Sequence, residues 1–472
     1  MAAQVPQDAR LDIIVNGAGL SGIAAAITFA LHGHRVTVLE SAKELAEVGQ
    51  SHSPRSIGKN LTCTQVGAGL QITPNASKIL QYFQLPQSFW DAGAVPTVLS
   101  VHRYAGPVLA RETDFDKNIM SKYDAPFIDF HRVDLQQALY QRAKELGVVF
   151  AMDQRVSKVD LDSSRPVVHT KSGSSFEGDL VAAADGLWSA TRESFLGGTQ
   201  DLPKPTGDLA YRIVLTLDQV ADEPELREWI KNPEVHFWIG PGSHVVSYSL
   251  RGGTMLNIVL LVPDNLPPGV AKQEGSLEEM RELFKGWDPI LNKFLTKVEK
   301  VDKWKLMHQA ELPRWVNDKS TLVLIGDSAH PMLPYLAQGR DGLPALERVR
   351  CADHNLGANS SIEDGAVLGE LLGAITSKAQ LPQALHLYES LRKERGEAIV
   401  RETFKQRHDF HLPDGSEQEA RDVIFKSQFE KQSAQGAFPS RWTCPEVQPW
   451  LYGYDAVQQV HEALQREPLK DS

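Results

Sequence analysis

Three glycines and one acid near the start of this chain carry its clearest chemistry. Gly17, Gly19 and Gly22 form G-x-G-x-x-G, and Glu40 stands about 20 residues further on. Each has a physical task in a dinucleotide-binding turn. Gly17 permits the tight turn, Gly19 lets backbone approach a pyrophosphate, and Gly22 lets helix and strand pack closely. A helix N-terminus beyond the turn offers N–H groups and partial positive charge to the phosphates. Glu40 can accept hydrogen bonds from a ribose.

The flanking elements are in the right order to place these groups. Residues 11–15 are a short apolar run, as in a strand buried on both faces. Residues 23–31 read as an Ala-rich helix and 35–39 as a second strand ending at Glu40. Two further strands end in chemistry-bearing turns: 180–184 runs into Asp185-Gly186, with Ser189 and Arg192 behind, and 322–326 closes on Asp327. Between them the texture changes. Residues 209–217, 235–239, 244–250 and 254–262 are alternating or apolar runs separated by Gly-rich turns, which predicts an antiparallel sheet inserted into the first domain. Arg212 and Tyr248 lie mid-strand there. Side chains alternate along a strand, so either can face a cavity between the domains, where an Arg would orient a carboxylate or phenolate. The opposing reading is a surface Arg and a core Tyr. Residues 362–375 and 385–404 have helical spacing. Tyr388, Arg392 and Arg395 share one face of the second helix and read as structural. The chain from 413 onward reads as a polar, loop-rich tail with one short helix at 456–464.

Composition narrows the classes. A chain of 472 residues with 42% hydrophobic content can hold two or three domains, and a net charge of −11 argues against a nucleic-acid partner. Three scattered cysteines build neither a disulfide framework nor a zinc site, so no metal is expected. No apolar signal segment or membrane-length run is present, and a cytoplasmic setting is the simplest expectation. No obligatory protein partner is evident.

At three places the chain resembles the class A FAD-dependent aromatic monooxygenases, in particular the salicylate-hydroxylase-like group of fungal secondary-metabolism monooxygenases. These are the G-A-G-L-S-G opening with Glu40, the Ala184-Asp185-Gly186 turn with Ser189 and Arg192, and Gly326-Asp327-Ser328-Ala329-His330-Pro331 resuming at Ala358. The resemblance implies an α/β fold: a Rossmann-like FAD-binding domain interleaved with an antiparallel-sheet substrate domain, and a helical C-terminal part. It places the first FAD part in 1–200, the substrate domain in 201–310, the second FAD part with long helices in 311–410, and a tail in 411–472. By the same resemblance Glu40 binds the adenosine ribose, Arg132 touches the cofactor and Asp327 binds the ribityl chain. Ala68 and Gly69, in A-G-L-Q, join this set, and the helix opening near Ala358 points at the flavin. Asp327 alone could also be a helix N-cap. His330 would buttress the Asp327 turn. One complete dinucleotide fingerprint fits NAD(P)H visiting as a transient co-substrate.

The resemblance breaks twice, at 48–65 and 339–356, two stretches of equal length without clear periodicity. Both are read as translated introns. Val48 begins with GT and Gln65 can end in AG; Gly339 can be GGT, and Leu356 followed by Gly357 can spell TAG. The alternative is a pair of regulatory or gating loops. A cDNA lacking both segments is the expected transcript.

The implied function is oxygen transfer from O2, driven by NAD(P)H, to an electron-rich aromatic or enolic small molecule. An epoxidase or oxidase of a terpenoid or polyketide is the alternative among enzymes, and a non-catalytic flavin-fold binding protein the alternative outside them.

Overall fold

The computed structural model describes residues 4–45, 69–332, 355–429, 440 and 443–471. The two suspected intron segments and Ala68 fall outside these residues, apart from Asn355 and Leu356 at the start of a helix.

Among the described residues, a five-stranded parallel sheet runs in the order Leu322–Leu324, Leu180–Ala183, Asp12–Asn16, Arg35–Leu39, Val149–Ala151. Each pairing is parallel. Such a sheet must be covered on both faces, and its strands are accordingly apolar and largely buried. The helix Leu20–Leu31 packs on the helix Asn355–Gly373. Small residues make that approach close: a Cβ on Gly365 would sit 2.5 Å from the Ala25 nitrogen, and one on Gly369 2.3 Å from the Thr28 side chain. The Ala-rich stretch 24–26 is therefore a packing surface for the second helix.

An eight-stranded sheet forms the second layer. Its order is Lys272–Glu274, Asp302–His308, Lys204–Thr216, Met255–Pro263, Ser243–Leu250, Glu234–Gly240, Val98–Arg103, Val108–Thr113. It is antiparallel except where Glu234–Gly240 meets Val98–Arg103. This corrects the span 201–310 for that sheet: two of its strands come from residues before 115. One sheet face builds a core with Leu209, Tyr211, Trp238 and Leu260 against short helices. The other builds a core with Ala210, Phe237, Tyr248 and Val259, reaching Ile399 and Phe410 of the helix Leu381–Phe410.

The C-terminal part is helical, as expected, but carries more than the one short helix read after 413. The stretch after 413 forms helices at Ser416–Phe429, Val447–Tyr452 and Ala456–Arg466. The last buries Ala456, Val460 and Ala463 at helical spacing and is capped by Asp455, which accepts from the Gln458 N–H at 3.0 Å. Among the described residues no helix is long and apolar enough to cross a membrane.

Candidate functional site

Four neighbouring strands of the parallel sheet each release a motif at the carboxyl end. Asp12–Asn16 leads into the glycine turn, Arg35–Leu39 into Glu40, Leu180–Ala183 into Ala184-Asp185-Gly186, and Leu322–Leu324 into Gly326-Asp327. Motifs from the two ends of the family's sequence pattern thus share one sheet edge, the edge where open α/β sheets bind ligands. There they line one cleft of about 220 Å³. Its walls include Gly17, Gly19, Glu40, Arg132, Asp327 and Ala358.

The glycines divide their labour as their spacing implies. Gly17 has φ +112°, and a Cβ there would lie 2.5 Å from the Ala184 carbonyl oxygen. Gly22 is beneath the cleft, where a Cβ would lie 2.0 Å from the Gly17 carbonyl oxygen. Gly19 is different. Its backbone is ordinary, φ −73° and ψ 178°, and a Cβ would meet nothing within 4 Å. The fold itself does not need glycine there, and the bare backbone leaves room for a ligand to press against it. Gly19 is also the N-cap of Leu20–Leu31, and among the described residues no side chain caps that first turn. The site thus has the open N-terminus and bare backbone that a pyrophosphate requires.

Glu40 is fixed before any ligand arrives. Its Oε2 accepts from the Ala18 N–H at 2.9 Å and its Oε1 from the Ala42 N–H at 2.7 Å. Asp327 lies inside the short turn Gly326–Ser328, whose N-cap is Ile325, so Asp327 is not the cap. Its carboxyl lines the cleft and is otherwise enclosed. Burial pushes it up to about 6, against the opposing pull of His330 and Arg132. Arg132 opens the helix Arg132–Glu145 and lines the cleft. Gly357, Ala358 and Ser361 present the first turns of Asn355–Gly373 to it.

Behind the cleft lies a buried charge network. Glu363, Asp364 and Arg392 are fully buried. Arg392 reaches Glu363 at 2.6 Å and Asp364 at 2.8 Å, and Arg395 pairs with Glu363 at 2.8 Å. Asp364 Oδ2 accepts the Gly326 N–H at 2.8 Å and lies 2.5 Å from His330 Nε2. Burial alone would raise both acids. Arg395 and Arg392 beside Glu363, and His330 and Arg392 beside Asp364, hold both below the ordinary carboxylate range. The network ties the Asp327 turn to the helix that carries Ala358. Arg395 also lies 3.9 Å from the centre of the Tyr454 ring and 4.9 Å from that of Trp450, which joins the C-terminal helices to it.

The Asp185 turn is a tie of the same kind. Asp185 accepts from the Ser189 hydroxyl at 2.5 Å and the Thr191 N–H at 3.1 Å. Arg192 is buried and donates to the carbonyls of Ser328 and Ala329 at 3.0 and 3.3 Å, and to Asp201. One motif thereby holds the other. Trp188 and Val156 also line the cleft and were not singled out from sequence; Trp188 lies inside the Asp185–Arg192 stretch, which was the signal.

Arg212 and Tyr248 are not in this cleft. Val246, Val259 and Arg212 form one row across three strands, and Tyr248, Asn257 and Val214 the next, so all six share a face. Arg212 leans away from Tyr248, with its guanidinium carbon 5.8 Å from the centre of the Trp304 ring on the strand at its other side. Tyr248 is fully buried against Gly69, where a Cβ would lie 2.6 Å from its ring. Gly69, in the two-stranded ribbon of Gly69–Ile72 with Ile128–His131, is thus placed against the large sheet.

Comparison with known proteins agrees with this geometry. Residues 10–341 match the family described as FAD binding domain, well over half of the chain. This chain belongs to that family. The FAD-dependent monooxygenase OpS4 of Beauveria bassiana is 44% identical over 97% of this chain and 98% of its own. The 3-hydroxybenzoate 6-hydroxylase of Polaromonas naphthalenivorans is 27% identical over 95% of this chain and 97% of its own. Among solved structures, a salicylate hydroxylase substrate complex has a TM-score of 0.71 at 20% identity, covering 96% of this chain and 98% of that one. CtdE in complex with FAD and a substrate has a TM-score of 0.75 at 19% identity, covering 97% and 98%. At these identities the structural likeness speaks for the fold. The flavoenzyme is an FAD-dependent monooxygenase.

Proposed function

We propose that this monooxygenase uses NAD(P)H and O2 to hydroxylate an aromatic or enolic small molecule. The carrying observation is the convergence of four strand-end turns on one cleft, with Glu40, Arg132, Asp327 and a helix N-terminus facing the same space. Bound FAD supplies redox chemistry that no side chain can. The chain supplies position and field. Glu40, held by two backbone N–H groups, takes the adenosine ribose. The bare backbone at Gly19 takes the pyrophosphate. Asp327 takes the ribityl hydroxyls, and Arg132 adds a cation beside it. The first turn of Asn355–Gly373, with Ala358 lining the cleft, stabilises negative charge at the flavin ring. The second sheet presents Arg212 and Tyr248 on the face turned toward the first domain, where Arg212 orients the substrate. The name of the Polaromonas relative, a hydroxylase of a phenolic acid, supports a phenolic substrate class. The test is direct. Purified protein should show flavin absorbance bands, and some member of a panel of phenols and polyketides should stimulate NAD(P)H consumption with formation of a product one oxygen heavier. A colourless protein that cannot be reconstituted with FAD refutes the reading.

A further inference from the structure

The strands Gly69–Ile72 and Ile128–His131 form a ribbon in which Gly69 faces His131 and Gln71 faces Asp129. Leu70, Ile72, Ile128 and Phe130 point into the core of the first domain. By strand alternation Gly69, Gln71, Asp129 and His131 point the other way. Gly69 shows what lies there: a Cβ on it would sit 2.6 Å from Tyr248 and 2.7 Å from Asn257 of the large sheet. The ribbon and the large sheet therefore meet at a seam. Three buried polar atoms on this seam have no hydrogen-bond partner among the described residues: Asp129 Oδ2, His131 Nδ1 and Asn257 Nδ2. Their residues are 1%, 6% and 2% exposed.

Folded proteins rarely leave such atoms unsatisfied, and three along one seam need a reason. Packing does not give one, because apolar side chains of the same shape would cost nothing in hydrogen bonds. The seam adjoins the cleft: the Gln71 carbonyl accepts from Asn359 Nδ2 at 3.0 Å, and Asn359 follows Ala358. We propose that Asp129, His131 and Asn257 are specificity-determining residues that bind a neutral oxygen substituent of the substrate, a ring hydroxyl or carbonyl. The inference rests on the hydroxylase reading above and deepens it.

The charge state fits. Burial raises the Asp129 carboxyl well above the carboxylate range, against one hydrogen bond from Gln71, which favours the neutral form that can donate. Burial lowers His131 to about 4, which leaves a neutral imidazole. The guanidinium that acts on His131, that of Arg251, is held at 2.8 Å by each oxygen of Asp134. A neutral donor and acceptor set of this kind matches a hydroxyl or carbonyl and offers no counter-charge to a carboxylate.

The test uses the FAD-loaded enzyme and two matched pairs of probes, 3-hydroxybenzoate with benzoate and resorcinol with phenol. Binding is read from perturbation of the flavin absorbance. The parent enzyme should bind the more hydroxylated member of at least one pair roughly tenfold more tightly, the scale of one buried hydrogen bond. Asp129→Leu and Asn257→Leu should bring that ratio close to one with flavin content unchanged, and Asp129→Asn, which keeps an N–H donor, should retain much of it. Ligand-free Asn257→Leu should melt at or above the parent temperature, because it removes an unsatisfied buried group; Asp129→Leu also takes the acceptor from Gln71 Nε2 at 3.2 Å and is read for binding only. Equal binding within both pairs by the parent enzyme overturns the proposal, as does a preference that survives both Leu variants, or a fall in the melting temperature of Asn257→Leu, which would mark that group as structural. A parent protein unable to hold flavin removes the underlying reading and this one with it; flavin with no hydroxyl preference removes this one alone.

Discussion

Gly17 and Gly19 stand close together in one turn, and the structure separates what a methyl group does at each. At Gly17 alanine would have to adopt φ +112°, outside the region open to L-residues, with its Cβ 2.5 Å from the Ala184 carbonyl oxygen. Backbone strain of this kind costs on the order of 1–3 kcal/mol before the clash is counted. The Gly17→Ala protein should therefore lose stability with or without FAD. At Gly19 the backbone is already alanine-like and the Cβ meets nothing within 4 Å. Removing a glycine there narrows the unfolded ensemble, worth about 0.4–1 kcal/mol in favour of the fold. The same methyl occupies the space where a pyrophosphate must touch backbone. Losing one hydrogen bond to a charged acceptor costs roughly 1.5–3 kcal/mol, a factor of about 10 to 150 in affinity. Gly19→Ala should thus yield a protein whose ligand-free melting temperature equals or exceeds the parent's and whose FAD dissociation constant rises at least tenfold. Both are measurable on the same preparation, by thermal melts of stripped protein and by quenching of flavin fluorescence on rebinding. Normal FAD affinity in Gly19→Ala would falsify the assignment of the pyrophosphate to this turn, and a large drop in ligand-free stability would show that the glycine serves the fold.

Further outcomes follow from the other groups. Glu40→Ala should weaken FAD about tenfold or more while the fold survives, since the N–H groups of Ala18 and Ala42 can turn to water; unchanged flavin occupancy would count against Glu40. The Asp327 carboxyl is raised from 3.8 to about 6, so the unfolded chain loses its proton first and the ligand-free protein loses stability as pH rises from about 4 to about 6. Asp327→Asn should remove that component, worth up to ~3 kcal/mol, so the mutant should gain on the parent in thermal melts at pH 7.5 and not at pH 4; an equal gain at both refutes the assignment. Arg392→Met leaves the buried Glu363 and Asp364 with only Arg395 and His330 beside them and should cost about 3–5 kcal/mol, visible as a large fall in urea midpoint. Arg212→Ala should retain FAD but uncouple NAD(P)H consumption from product, by up to about 100-fold if the ring shifts by about 1 Å; normal coupling would make Arg212 a packing residue on Trp304.

The parts of the site legible in the sequence were the parts that physical chemistry confines to a few consecutive residues. A turn that must admit a left-handed backbone at Gly17, an acid at a strand end and an apolar run before each motif can be read directly. What could not be read was set by partners far away in sequence. Val98–Arg103 and Val108–Thr113 alternate too weakly to announce themselves, and they become strands because Glu234–Gly240, far later in the chain, offers Val98–Arg103 a parallel partner. The helices Ser416–Phe429 and Val447–Tyr452 were hidden in the same way, since Ser416–Phe429 looks polar until Phe425 finds the core beneath the large sheet. The seam residues Asp129, His131 and Asn257 carried no local signal. They gain meaning only when Gly69 brings one domain against the other.

Asp185 and Arg192 show a further reason why a motif and a binding residue are different things. From sequence, an Asp-Gly turn after a buried strand is a common turn that marks no binding role by itself. In the fold the Asp185 carboxylate is taken up by Ser189 and Thr191, and Arg192 by the carbonyls of Ser328 and Ala329. The turn lines the cleft while its carboxylate is spent on the helix that follows. Asp364 does the same from the other side, spending its charge on the Gly326 N–H, His330 and Arg392. Asp185, Arg192, Asp364 and Arg392 are thus committed to holding the Asp327 turn and its neighbours, while Asp327 and Arg132 line the cleft itself. That arrangement suits a site which must receive a large cofactor in one geometry: the groups that meet the ligand are few, and those that fix their positions are buried where solvent cannot compete for them.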